Sequence, residues 1–257
     1  MAKKSAKRPP SSARKKSATK AAVTRILAID IGGTGLKAAV IGSTGKFVEA
    51  RVRVKTPQHC TPKKMVPLLL ELVKGFKRYD RVSVGFPGYV RGGKVFTAPH
   101  LGTKAWSGFK LEAAMQRALK KPVKLLNDAD VQGLAAIKGK GLELVCTLGT
   151  GLGTAMFQDG MLLPHMDLSH MAIHAKNDFD VYIGDHTLKK VGAKDWNKRI
   201  RKTIAMLHKV FFFDHLYLGG GNARKVKLPL PRNVSIVSND AGMAGGAFIW
   251  LPKSKRK

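Results

Sequence analysis

Residues 25–41 read RILAIDIGGTGLKAAVI. The apolar run Arg25–Asp30 stops at a pair of glycines and a second apolar run, Leu36–Ile41, begins beyond them, the composition of two β-strands joined by a glycine turn. Lys46–Val54 continues with strand-like residues. Thr61–Lys77 then changes to a helical pattern, with Thr61 in the cap position and Pro62 at the first position, while Pro67 predicts a kink or a late start. Arg81–Phe86 reads as a buried strand.

The second half repeats this order. Leu142–Leu148 is apolar, Thr154–Gln158 and Met161–Leu163 flank the turn Asp159-Gly160, Asp195–Phe213 has helical periodicity, and His215–Leu218 is again strand-like. A strand-turn-strand-turn-strand-helix-strand order occurring twice predicts a duplicated α/β fold, two lobes with a central cleft. The lobes are expected at 24–126 and 127–250, with the last helix packing back on the first lobe.

The chain has 257 residues, 44% of them hydrophobic, which is enough for a real core. No stretch approaches the ~18 uninterrupted apolar residues of a membrane span, and no apolar secretory region is evident, so the expected setting is the cytoplasm. Cys60 and Cys146 lie too far apart in sequence for a disulfide framework or a paired-cysteine zinc site. With 47 basic and 16 acidic residues the net charge is +31, which points to a polyanionic partner or substrate. Residues 1–23 are Lys, Ala, Ser and Pro without an acid and are expected to be a disordered basic tail, either a solubilising arm or a tether to nucleic acid or polyphosphate; a transit peptide is a third reading. Residues 251–257 (LPKSKRK) form a second basic tail.

In DIGGTGLK (30–37), Gly32 and Gly33 let backbone N–H groups face an anion with no Cβ in the way. Asp30 is placed to hold Mg²⁺, through water or directly, and Thr34 and Lys37 offer a hydroxyl and a cation. A second turn, TLGTGLGT (147–154), occupies the equivalent place in the second half, and its Gly149, Thr150, Gly151 and Gly153 make the other phosphate-binding candidates. Strands rather than helices follow both turns, which excludes a Walker loop and a dinucleotide fingerprint. The pairing of the two turns is what raises either above an ordinary glycine hairpin.

Between them, VKLLNDAD (123–130) runs from a short strand into paired polar residues and an Ala-rich segment. Asp128 is the candidate general base for accepting a hydroxyl proton, with Asp130 as a rival carboxylate; on spacing alone, Asn127 or Asp128 could equally cap a helix beginning near Ala129. Gly219, Gly220 and Gly221 form a third cluster where backbone could approach a nucleotide, and AGMAGGA (241–247) a fourth, suited to close helix packing. His165, His170 and His174 lack the cysteine or acidic partners of a convincing zinc site, and none is expected. His170 with Asp167 better suits hydrogen bonding to a polyol.

The ordered set DIGGTGLK, FPG, NDAD, TLGTGLG and LGGGNA resembles the ROK sugar-kinase family, and within it the polyphosphate glucokinases, over roughly Arg25–Trp250. The resemblance implies an actin-like, hexokinase-like bilobal fold, a homodimer, and Mg²⁺-dependent transfer of phosphate from inorganic polyphosphate or ATP to the 6-hydroxyl of glucose. It implies that Asp128 is the catalytic base and that Asn127 and Gly88 lie on the sugar side. At two sugar-side positions the chain departs from the family: Asp167 stands where relatives have Glu, one methylene longer, and His100 where many have Asn. A cysteine-rich zinc loop found in many relatives is absent, as in the polyphosphate-using ones. The alternative reading is a catalytically weak sugar-binding protein of the same family whose basic tail binds nucleic acid.

Overall fold

The computed structural model describes residues 24–174, 177–238 and 241–251, so the basic tail at 1–23 and residues 252–257 of the second lie outside the described residues. The first half contains β1 (Arg25–Ile31), β2 (Gly35–Gly42), β3 (Val52–Lys55), α1 (Pro62–Val73), β4 (Arg81–Phe86), β5 (Val90–Arg91), β6 (Lys94–Val95), α2 (Thr103–Trp106), α3 (Leu111–Leu119) and β7 (Val123–Asn127). The second contains α4 (Asp128–Ala136), β8 (Leu142–Leu148), β9 (Leu152–Gln158), β10 (Met161–Leu162), β11 (Ala172–His174), β12 (Asn177–Asp178), α5 (Phe179–Ile183), α6 (Asp185–Phe211), β13 (His215–Gly219), β14 (Val234–Ile236) and α7 (Ala241–Phe248).

Two five-stranded sheets result, ordered β3-β2-β1-β4-β7 and β10-β9-β8-β13-β14. In each, the first three strands form an antiparallel meander and the other two add parallel to its first strand. The same topology built twice is the duplicated α/β, actin-like and hexokinase-like bilobal fold. Side-chain alternation along β1 divides its burial between two faces: Leu27, Ile29 and Ile31 join the core under α1 and α3, while Ile26 and Ala28 meet Met243 and Ala247 of α7.

Helices α4 and α7 lie between the sheets. A Cβ on Gly245 would overlap the Val131 carbonyl, so the glycine of the fourth cluster is what lets α7 close on α4. Ser83 on β4 donates to the Gly246 carbonyl at 2.6 Å and receives a hydrogen bond from Trp250 Nε1 at 2.9 Å, tying α7 to the first sheet.

Three boundaries differ from the sequence expectation. The third strand begins at Val52, not Lys46, because the chain turns tightly after β2 with Gly45 at φ +80° and then bulges, the N–H groups of Val48 and Glu49 both donating to the Val40 carbonyl. The long helix starts at Asp185 and breaks at Gly192 (φ 76°, ψ 166°), so its second segment carries the recognised periodicity. Pro67 sits within α1, which starts directly at Pro62.

Candidate active site

The first glycine turn is closed by the Gly32 N–H donating to the Gly35 carbonyl at 3.1 Å, and Thr56 Oγ1 donates to the Gly32 carbonyl at 2.6 Å, fastening the end of β3 to it. Gly33 faces the cleft against His100, whose Cβ would stand 3.1 Å from a Cβ placed there. Asp30 receives a hydrogen bond from Lys37 Nζ at 2.7 Å, so Lys37 is engaged with that carboxylate, and Thr34 is exposed at the tip.

The second turn is braced from outside. Gly149 N–H donates to the Gly151 carbonyl at 3.0 Å, Asp185 N–H donates to the Gly149 and Thr150 carbonyls, each at 3.1 Å, and Asn222 Nδ2 donates to the Gly149 carbonyl at 3.2 Å. Asp180 Oδ1 accepts from the Leu152 N–H at 2.6 Å, and its carboxylate occupies the space that a Gly151 side chain would fill. Burial raises the pKa of Asp180, opposed by that N–H bond and by His170.

Strand β7 delivers Asn127 and Asp128 to the junction of the sheets. Asn127, 6% exposed, caps α4 by accepting from the N–H groups of Ala129 (2.8 Å) and Asp130 (3.4 Å), while its Nδ2 donates to the Gly88 carbonyl at 3.1 Å. Its amide therefore fixes both the start of the helix and the Phe86–Gly88 turn. Asp128 opens α4 and faces the cleft. Burial, then the charge of Asp30 and to a smaller extent that of Asp130, push its carboxyl up to about 7, against a hydrogen bond from Ala129 N–H and the charge of His165. A carboxyl with that proton affinity is matched to general-base work near neutrality.

The rival Asp130 points elsewhere. It is 2% exposed and pairs with His165 Nδ1 at 3.0 Å. Burial raises the Asp130 pKa; for His165, burial alone would lower the pKa, but the bond to Asp130 and the charges of Asp130, Asp167 and Asp128 raise it. Both shifts favour the pair keeping its proton.

These elements converge on a cleft of about 150 Å³. The phosphate candidates Gly33, Gly149, Thr150, Gly151 and Gly153 line it, as do the sugar-side candidates Gly88, His100, Asn127, Asp128, Asp167 and His170. Asp30, Gly32, Thr34 and Lys37 build the first turn behind Gly33 without being among the lining residues. Gly219, Gly220 and Gly221 are not cleft-lining: side chains at the first two would strike Gln132 and the Leu148 backbone, and the neighbouring Asn222 braces the second turn. The sequence reading missed Ser169 and Asp180. Ser169 Oγ hydrogen-bonds Asp167, and His170 lies 3.7 Å from both Asp167 and Asp178. No motif marks Asp180, which enters through α5.

Among the described residues no group of three or more His, Cys, Asp or Glu is placed to hold a metal ion by itself. Mg²⁺ needs only one or two carboxylates when phosphate oxygens and water complete its shell, and the Asp30 carboxylate lies near enough to Asp128 for its charge to act there.

The family model for the ROK family matches residues 26–170. The chain belongs to the ROK family. Over 241 residues it is 30% identical to the polyphosphate glucokinase of Mycobacterium tuberculosis, covering 86% of this chain and 89% of that one. The inorganic polyphosphate/ATP-glucomannokinase of Arthrobacter sp. strain KM superposes on this ROK protein with a TM-score of 0.80 at 29% identity, covering 88% and 98% of the two chains. A ROK family glucokinase from Streptomyces griseus, solved with glucose and AMPPNP, shares the fold with a TM-score of 0.73 at 18% identity, over 88% of this chain and 98% of that one.

Proposed function

We propose that this ROK sugar kinase transfers a phosphoryl group to the 6-hydroxyl of glucose, from inorganic polyphosphate and, as a second donor, ATP. The observation that carries the reading is one cleft lined by both glycine turns and by Asp128, whose carboxyl is held at about 7. Backbone N–H groups of the turns cradle the donor, the hydroxyl of the sugar attacks in line, and Asp128 accepts its proton. Mg²⁺, when bound, offsets charge on the donor phosphates, and Asp30 would hold it. Asp167, Ser169 and His170 meet the sugar, with Asn127 setting the Gly88 turn beneath it.

Polyphosphate as donor is supported by the surplus of +31 and by the two polyphosphate-using relatives. The proposed lobes are 24–126 and 127–250, the second running from the last residue of β7 through α7, which packs back on the first sheet. A homodimer is the proposed assembly. Cys60 and Cys146 are free and buried, as suits a reducing compartment, and the cytoplasm is the proposed setting; among the described residues no helix is long and apolar enough to cross a membrane.

A coupled assay with glucose and other hexoses, run separately with ATP and polyphosphate, tests the whole reading. Glucose 6-phosphate formed from polyphosphate is the expected result; no transfer to any hexose, together with salt-sensitive retention on DNA, would favour the sugar-binding alternative instead.

A further inference from the structure

We infer that Arg53 and Lys55 bind the donor chain beyond its reacting phosphoryl group, and so select polyphosphate over a nucleotide. The inference rests on the proposal that polyphosphate is a donor.

Strand β3 is the outer edge of the first sheet. Register places Gly85, Asp30, Lys37 and Arg53 directly opposite one another across β4, β1, β2 and β3. Directly opposed residues present their side chains on the same face, so these four form a row across the sheet. It begins under the catalytic carboxyl: a Cβ on Gly85 would lie 3.5 Å from the Asp128 Cα. Three strand spacings of ~4.8 Å then carry it about 14 Å outward to Arg53. The next row pairs Gly35 with Lys55, on the same side as Arg53.

Charge along this track is uneven. Asp30 and Lys37 pair with each other at 2.7 Å, and among the described residues no carboxylate forms an ion pair with Arg53 or Lys55, both of which are exposed. The exposed Arg53 guanidinium is positioned over the first turn. It lies against Gly35 of the first turn, where an added Cβ would stand 2.9 Å from Nε and 3.2 Å from Nη2. A glycine there gives the guanidinium its seat beside the phosphate loop.

Charged residues on an edge strand also discourage strand pairing between molecules, which would be a sufficient account of β3 if the charges lay on either face. They lie on one. Val54, between them, packs on the core of the opposite face, leaving Arg53 and Lys55 on the Asp30 side. A planar guanidinium grips phosphate oxygens in a two-pronged fashion, and a neighbouring ammonium adds a second charge. A nucleotide ends its phosphates after three and continues as uncharged ribose and base. A long polyphosphate keeps offering anions along the strand.

The test uses the full chain with Arg53→Gln and with Arg53→Gln/Lys55→Gln. Thermal midpoints first establish that both fold. Steady-state KM is then measured for long-chain polyphosphate, tripolyphosphate and ATP at saturating glucose. The expected result is a rise of about tenfold in the long-chain KM of the double variant, with a much smaller rise for ATP and a weaker dependence of the long-chain KM on salt. An unchanged long-chain KM, or equal rises for ATP and polyphosphate, overturns the inference while leaving the donor assignment standing. Absence of polyphosphate turnover in the wild type overturns the donor assignment, and the inference with it.

Discussion

The charge of Asp30 acts on Asp128 across a residue that has no side chain. Asp30 pairs in register with Gly85, and Asp128 packs on that same glycine, so the charge of Asp30 is second only to burial in raising the Asp128 carboxyl to about 7. A side chain at Gly85 would separate them.

Replacing Asp128 with Asn removes the proton acceptor and is expected to lower kcat by about 10²–10⁴ while glucose binding persists, as read by steady-state kinetics and calorimetry. In the wild type, kcat/KM should fall as pH drops below about 7, where the carboxyl becomes protonated. Stability runs the other way. A carboxyl whose folded pKa is raised binds more protons folded than unfolded between about 4 and 7, so its ionisation destabilises the protein increasingly across that window and fully above it. Asp128→Asn should therefore raise the thermal midpoint at pH 8, by on the order of 10 °C, and have little effect at pH 4. A midpoint shift of equal size at both pH values would contradict the assignment of the raised pKa.

Asp130→Asn separates the two carboxylates. Breaking a buried pair with His165 is expected to cost about 3 kcal/mol in denaturant unfolding, because the imidazole is left without its partner. Turnover at optimal pH should remain within about tenfold, and the acid limb of the pH profile should move down, since the charge of Asp130 contributes to raising Asp128.

Gly151→Ala tests the second turn. The new methyl group would overlap the Asp180 carboxylate, so either the turn or Asp180 must move, and the expected outcome is a rise in donor KM together with a stability loss of about 1–3 kcal/mol. The paired change Gly151→Ala with Asp180→Ala should recover part of the stability; a measurement of both midpoints decides this.

Asp167→Glu lengthens the acidic side chain on the proposed sugar side of the cleft. The carboxylate, which hydrogen-bonds Ser169 and lies 3.7 Å from His170, gains about one methylene of reach into the cleft. Glucose KM is expected to fall by about tenfold, in line with the lower end of a charge-assisted hydrogen bond of about 1.5–3 kcal/mol, with donor KM unchanged.

Chelation of divalent cations should abolish turnover, and Mg²⁺ should restore it. Asp30→Asn is expected to raise the Mg²⁺ concentration needed for half-maximal rate, measured by titration, because it removes one hard oxygen charge from behind the first turn.

Much of this protein is legible without coordinates because its signals are local. The runs around Ile29 and Val145, the glycines that interrupt them, and the repeat of the same order in both halves determine two like sheets, since strand and turn chemistry depend on neighbours a few residues away. The position of Asp128 at a strand end follows from the same reasoning. Tertiary structure alone decided which polar groups remain available. Asn127 has its amide committed to a helix cap and the Gly88 turn, Lys37 is held by Asp30, Asp130 is sealed against His165, and Asn222, beside a third glycine cluster that does not line the cleft, braces the second turn. Asp180 reaches Leu152 across 28 residues, and Arg53 reaches Gly35 only because the third strand begins at Val52. Such pairings depend on register and packing between segments distant in the chain, where composition and period carry no information about the partner.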